Sequence, residues 1–208
     1  IADVYCAAWG HLALECRAEK IALMERSAHA PSAIKAERVP FYSAGCPHNT
    51  STRVPEGTFA LAGIGCHYMA QWMPDRPTIL VTQMGGEGVP ALGFLPFTDM
   101  QHVFANMGDG TYFHSGLLAI RAAVAWSEKF LDKGITYKVL YNDAVAMTGG
   151  QHVDGTLTVP QITHQVYAEG VRRIEVVAEF PDAYSKWDCA PGTVIHPRSE
   201  LNGLMDDL

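Results

Sequence analysis

From Phe41 onward the chain is written in short apolar runs broken by glycine, and this texture restricts its possible folds more than any other feature. "TFALAGIGC", "TILVTQM", "HVFANM", "ITYKVLYN" and "RIEVVAEF" show little polar alternation. A strand with one wet face alternates polar and apolar residues, whereas a strand covered on both faces does not. The runs therefore predict buried strands. Between the third and fourth lies "HSGLLAIRAAVAWSEKFLDKG", where Leu117, Ile120, Val124 and Leu131 recur at helical spacing and Gly134 supplies a stop. "VPQITHQVYAEGV" predicts a further helix, with Pro160 near its start and Gly170 near its end. "GTVIHPRSELNGLMDDL" predicts a last short strand and a terminal helix. Strands that alternate with helices imply an α/β fold, expected here as a three-layer parallel sheet with helices on both faces.

Residues 5–29 read as an amphipathic helix, with Leu12, Cys16, Leu23 and Ala30 on one stripe, and a linker follows that ends at Pro40. The expected organisation is an N-terminal helix and linker over residues 1–40 and one ligand-binding domain over residues 41–208. A net charge of −7 with no Lys/Arg cluster gives no attraction for nucleic acid or an anionic membrane. No apolar run is long enough to span a bilayer. The 5 cysteines, Cys6, Cys16, Cys46, Cys66 and Cys189, are odd in number and have no local CxxC, which fits reduced thiols and a cytoplasmic location better than a disulfide scaffold. The chain starts at Ile1 and is expected to be a piece of something longer.

Two motifs carry chemistry. "NMGDGTYFHSG" places Asp109 between Gly108 and Gly110 at the end of one strand run, and "YNDAVAMTGGQ" places Asn142 at the end of the next. Ligands of open parallel sheets bind beyond the carboxyl ends of the strands, where helix N-termini favour phosphate. A carboxylate, an amide oxygen, a backbone carbonyl and phosphate oxygens would complete an octahedral Mg²⁺ shell, which describes a metal-bridged diphosphate. Taken singly, GDG is also a common tight turn and Asn-Asp is common turn chemistry. The pair flanks a single strand–helix–strand crossover, and that joint position favours the site.

With "SAGCPHNTS", "GIGCHYM" and "MGGEG" added, the motifs resemble the thiamine diphosphate domain of the indolepyruvate ferredoxin oxidoreductase family, in the 2-oxoacid:ferredoxin oxidoreductase superfamily. The likeness runs from about Phe41 to Leu208. It implies a thiamine diphosphate-binding fold with Mg²⁺ held by Asp109, the Asn142 side chain and the Ala144 carbonyl. It further implies that Met147 props the bent cofactor from beneath, with Thr148, Gly149, Gly108 and Gly110 near the diphosphate and Cys66 in the cofactor's surroundings. The implied reaction is oxidative decarboxylation of an arylpyruvate, with electrons leaving for ferredoxin and coenzyme A taking the acyl group. His67 and His48 are the expected polar groups near substrate, and His114 is expected to help order the first helical turn. The spacing from Asp109 to Asn142 is longer than in close relatives, and the excess falls in "WSEKFLDKG", expected to lie away from the site.

The activating glutamate of such enzymes belongs to a separate pyrimidine-binding domain, which is the expected partner in an oligomeric assembly. Glu87 of "MGGEG" is expected instead to be a solvated surface residue. Relatives in the superfamily hold a [4Fe–4S] cluster through a CxxC pair and later cysteines. Here Ser43 stands three before Cys46, leaving Cys46, Cys66 and Cys189, so the chain is expected to lack a stable cluster. The missing glutamate and broken pair keep a second reading open, a catalytically silent assembly module that retains the fold. The joint presence of Asp109, Asn142 and "AMTGG" favours the enzyme part.

Overall fold

A computed structural model describes residues 12–29, 38–155 and 157–208, the first five of them by backbone alone. The chain divides into two units, Ile1–Arg38 and Val39–Leu208. In the first, helix α1 runs over Leu12–Ala28. Of the expected apolar stripe only the Leu23 side chain is described, and it is exposed, as are Ile21 and Met24. The rest of the expected helix before Leu12, and Ala30 with most of the linker, lie outside the described residues. No helix among the described residues is long and apolar enough to cross a membrane.

The second unit is built on parallel strands: β1 (Ala60–Leu61), β2 (Thr78–Ile79), β3 (His102–Gly108) and β4 (Gly134–Leu140) pair in the order β2-β1-β3-β4. Because all four run the same way, the ends of the first three apolar runs and of "ITYKVLYN" open on one edge. β3 is one of the two inner strands, and Val103, Phe104, Ala105, Asn106 and Met107 are all buried. Its two faces enter different clusters. Met107 packs with Tyr112, Ile120 and Ile162, and Val103 with Leu61, Ala91 and Leu95. Phe104 packs instead with Ala60 and Met205. Among these partners Ala91, Ile120, Ile162 and Met205 come from helices α3 (Val89–Phe94), α4 (Leu117–Ser127), α5 (Val159–Ala168) and α6 (Leu201–Asp206), and a single turn, α2 (His48–Ser51), precedes β1. α5 starts with a capping box, the Thr158 hydroxyl accepting from the Gln161 backbone and the Gln161 side chain accepting from the Thr158 backbone.

Four expectations are corrected. "TILVTQM" contributes only Thr78 and Ile79 to the sheet, since Leu80 turns into the left-handed region at φ 50. Ile79 is exposed on β2, an edge strand with one neighbour, and Leu80 and Val81 are exposed beyond its end. The helix after β3 begins at Asp109, through a turn Asp109–Thr111 and a π-helical turn Tyr112–Gly116, before α4 proper. Leu131 lies beyond the end of α4 and is 82% exposed, so it belongs to no helical stripe. Finally, β5 (Glu175–Ala178) and β6 (Val194–Pro197) pair with each other as a separate parallel two-stranded sheet.

Candidate active site

Gly108 ends β3 in extended conformation and Asp109 opens the helical turn directly, so the GDG triplet is a strand-to-helix junction and not a tight turn. The Asp109 side chain is only 8% exposed. Its Oδ1 accepts the N–H of Gly110 at 2.9 Å, and its Oδ2 accepts the N–H groups of Asn142 at 2.9 Å and Asp143 at 2.6 Å. The two motifs are thus joined physically: the carboxylate of one anchors the backbone of the other. That grip also holds Asp143 at φ 55, a left-handed conformation that costs most residues energy and that Asp tolerates. Asn142 Oδ1 in turn accepts the Ala144 N–H at 3.1 Å.

Asp109, Asn142 and Ala144 therefore share one loop neighbourhood at the carboxyl edge, and each offers oxygen. Asp109 Oδ1 and Asn142 Oδ1 each accept one hydrogen bond from the described residues and retain a lone pair. A hard divalent cation takes oxygen ligands of this kind, so the donor set fits Mg²⁺.

Beyond Ala144 the chain closes a small loop. Val145 N–H bonds the Gln151 carbonyl at 2.7 Å, Gly150 N–H bonds the Val145 carbonyl at 3.0 Å, and the Thr148 hydroxyl meets Gln151 Oε1 at 2.7 Å. The loop presents Met147, which is 52% exposed and so is not a core residue. Thr148 and Gly149 are exposed beside it. A small cleft opens between Asp109, Tyr112, Phe113 and Tyr141.

His67 lies on the other side of the GDG junction. A β-carbon on Gly108 would sit 3.6 Å from its Cε1. The imidazole is 2% exposed, and Nε2 has no partner among the described residues. It fits only because Gly63 bears no side chain: a β-carbon there would meet His67 Nε2 and collide with the Asn106 carbonyl oxygen. Burial, with repulsion from His48 and Lys138, lowers the pKa of His67 to about 4. His48 packs edge-on against His67 at 5.9 Å and against Tyr42 at 5.4 Å, and burial with the Arg198 charge lowers its pKa as well. Both imidazoles are thereby biased to the neutral form. The Tyr42 hydroxyl donates to the His67 carbonyl at 3.0 Å, tying the segment before α2 to the turn that carries His67. His114 is exposed in the π-helical turn, with Nδ1 2.8 Å from Ser115 Oγ.

The three cysteines whose side chains are described, Cys46, Cys66 and Cys189, are free thiols. Cys46 and Cys66 are partly buried in different turns, and Cys189 is buried beside α5, where the neighbouring Ala190 N–H bonds Thr163. Among the described residues no group of three or more His, Cys, Asp or Glu side chains is placed to hold a metal.

Three polar residues, two of them fully buried, escape the sequence reading. Glu87 is fully buried, so the expectation of a solvated surface residue is corrected. Its loop lies against Ser115 of the π-helical turn and against Tyr137 of β4. Lys138 reaches from β4 to the Arg53 carbonyl at 2.9 Å and lies 5.1 Å over the Phe104 ring, and burial lowers its pKa to about 7. Asn106 is fully buried beside Lys138 in register on β3, and neither amide atom has a partner among the described residues. A polar residue between apolar neighbours was the available signal for both, Asn106 in "HVFANM" and Lys138 in "ITYKVLYN".

No family model matches the chain. It is 31% identical over 160 residues to indolepyruvate oxidoreductase subunit IorA of Methanothermobacter thermautotrophicus, an alignment that covers 68% of this chain and 25% of that protein. It is 30% identical over 126 residues to the protein of the same name from Methanothermobacter marburgensis, covering 55% of this chain and 19% of that protein. The chain thus spans a quarter or less of the length of these relatives. Both bear out the family that the motifs resemble, the indolepyruvate oxidoreductases.

Proposed function

We propose that residues 41–208 form the thiamine diphosphate- and Mg²⁺-binding domain of an oxidoreductase that oxidatively decarboxylates arylpyruvates such as indolepyruvate. Electrons pass to ferredoxin and the acyl group to coenzyme A. On this reading residues 1–40 precede the domain as helix and linker, and the parallel sheet is the middle layer of a three-layer thiamine diphosphate-binding fold. The chain works inside a larger cytoplasmic assembly. One observation carries the reading: the buried Asp109 carboxylate at the end of β3 holds the backbone of the Asn142 loop at the end of β4.

Asp109, the Asn142 side chain and the Ala144 carbonyl would hold Mg²⁺. Gly108, Gly110, Thr148 and Gly149 would lie along the diphosphate, and exposed Met147 would support the rings. When bound, the cofactor supplies the electron sink for decarboxylation. The chain's own residues bind, orient and exclude water. Phe113 and Tyr141 give the site an apolar wall. His67 and His48 offer neutral imidazole nitrogens to a 2-oxoacid as hydrogen-bonding groups and not as charges. The activating glutamate comes from the partner pyrimidine-binding domain, since Glu87 is sealed in the core.

The test is calorimetric titration of the chain with thiamine diphosphate. Weak, saturable binding in Mg²⁺ that vanishes in excess EDTA is expected. Binding that persists unchanged without metal, or none in its presence, would refute the proposal.

A further inference from the structure

We infer that Glu87 is a positioning residue: its buried carboxylate, acting through the glycine loop 83–88, sets the place of the π-helical turn that follows Asp109. The loop's contacts carry this. Glu87 Oε2 accepts the Gly85 N–H at 2.7 Å, and the Ile64 amide, three residues past β1, also faces the carboxylate. Gly85 stands at φ 92, and a β-carbon there would run into Ser115 Oγ, so the loop backbone lies directly on the turn. The Ser115 hydroxyl bonds back to the Met84 carbonyl at 3.4 Å. On the turn's other side a β-carbon on Gly116 would run into Met107 Sδ. The π-helical turn is therefore gripped between β3 and the loop, three residues after Asp109.

The rest of the Glu87 environment argues that the carboxylate serves the loop and not the core. Its own carbonyl accepts the Tyr137 hydroxyl at 3.0 Å, so the backbone is already fixed to β4. Oε1 has no partner among the described residues. An apolar side chain of similar size would fill the space without the cost of burying an acid. What that side chain could not do is hold the amide of Gly85. π-helical turns also carry a wider hydrogen-bond ring than α-turns and need outside support to persist.

The inference rests on the proposed cofactor site only for what the turn seats, and the experiment separates the two. Amide hydrogen exchange is measured on the unliganded 208-residue chain, and thiamine diphosphate with Mg²⁺ is titrated calorimetrically, for wild type, Glu87→Gln and Glu87→Leu. Gln keeps an acceptor for Gly85 and should leave both readouts within about twofold of wild type. Leu keeps the volume and should accelerate exchange across residues 110–116 about tenfold, with α5 unchanged, and weaken binding about tenfold. A folded Leu variant with wild-type exchange at residues 110–116 would overturn the inference, and so would acceleration shared equally by α5. Should the Leu variant fail to fold, Ser115→Ala decides: faster exchange at residues 110–116 alone supports the coupling and an unchanged rate overturns it. If wild type binds no thiamine diphosphate, the proposed function falls while the exchange result still judges Glu87.

Discussion

His67 refuses a proton until about pH 4 because the charged imidazolium would sit in a pocket stripped of water, beside His48 and Lys138. In the unfolded chain its value returns to 6.5, so between pH 6.5 and about 4 the unfolded state binds a proton that the folded state does not. Stability from this group is therefore complete above pH 6.5 and is lost as pH falls, by on the order of 3 kcal/mol at pH 4. His67→Gln removes the titration. Urea denaturation at pH 7 and pH 4.5 should show a smaller loss on acidification in the variant than in wild type, and equal losses would contradict the assigned cause. Glu87 has the opposite sense: burial raises its pKa, so its ionisation opposes folding as pH rises above the unfolded value. In Glu87→Gln the stability measured by urea denaturation should fall less between pH 5 and pH 8 than in wild type.

Among the elements, α5 starts on the Thr158–Gln161 box, and Thr158→Ala should cost about 1 kcal/mol, read as a lower midpoint in thermal or urea denaturation. The turn before α2 bears on iron. The Cys46 N–H bonds the Ser43 carbonyl at 3.1 Å, so position 43 lies in the same turn as Cys46, where a second thiolate would be delivered by local geometry. Anaerobic reconstitution followed by iron and sulfide analysis should leave wild type without a stable cluster and increase iron retention in Ser43→Cys. About four irons per wild-type chain would contradict this. These elements also show what the sequence could disclose. Five apolar runs located strands, and Gly170 and Pro160 bracketed α5, because burial and turn chemistry act on neighbours in the chain. The left-handed Leu80, the exposed β2 edge and the buried Glu87 depend on which segment lies alongside, and no local pattern encodes that. Asp109 and Asn142 were legible as a pair through their positions at strand ends. Their actual link, a carboxylate on two backbone amides, became visible only in three dimensions.

Taken whole, the molecule sets the carboxyl ends of its four paired strands on one edge, with Asp109 buried there and Phe113, Tyr141 and Met147 exposed around it. A surface that combines an anchored acid with an apolar rim suits a ligand covered from outside, and the relatives carry about two further chain lengths that could supply the cover. The chain alone should therefore bind cofactor without activating it. NMR should find the thiazolium C2 proton exchanging no faster with the chain than in water, and rapid exchange would mean that the activating group lies here. The most direct test of the account is Mg²⁺-dependent thiamine diphosphate binding by the Asp109→Ala variant. Removing the carboxylate takes away the proposed metal ligand and releases the amides of Asn142 and Asp143 together, so saturable binding should disappear while the chain stays folded by circular dichroism. A folded Asp109→Ala chain that binds with wild-type affinity would contradict the assignment of this strand end as the cofactor site.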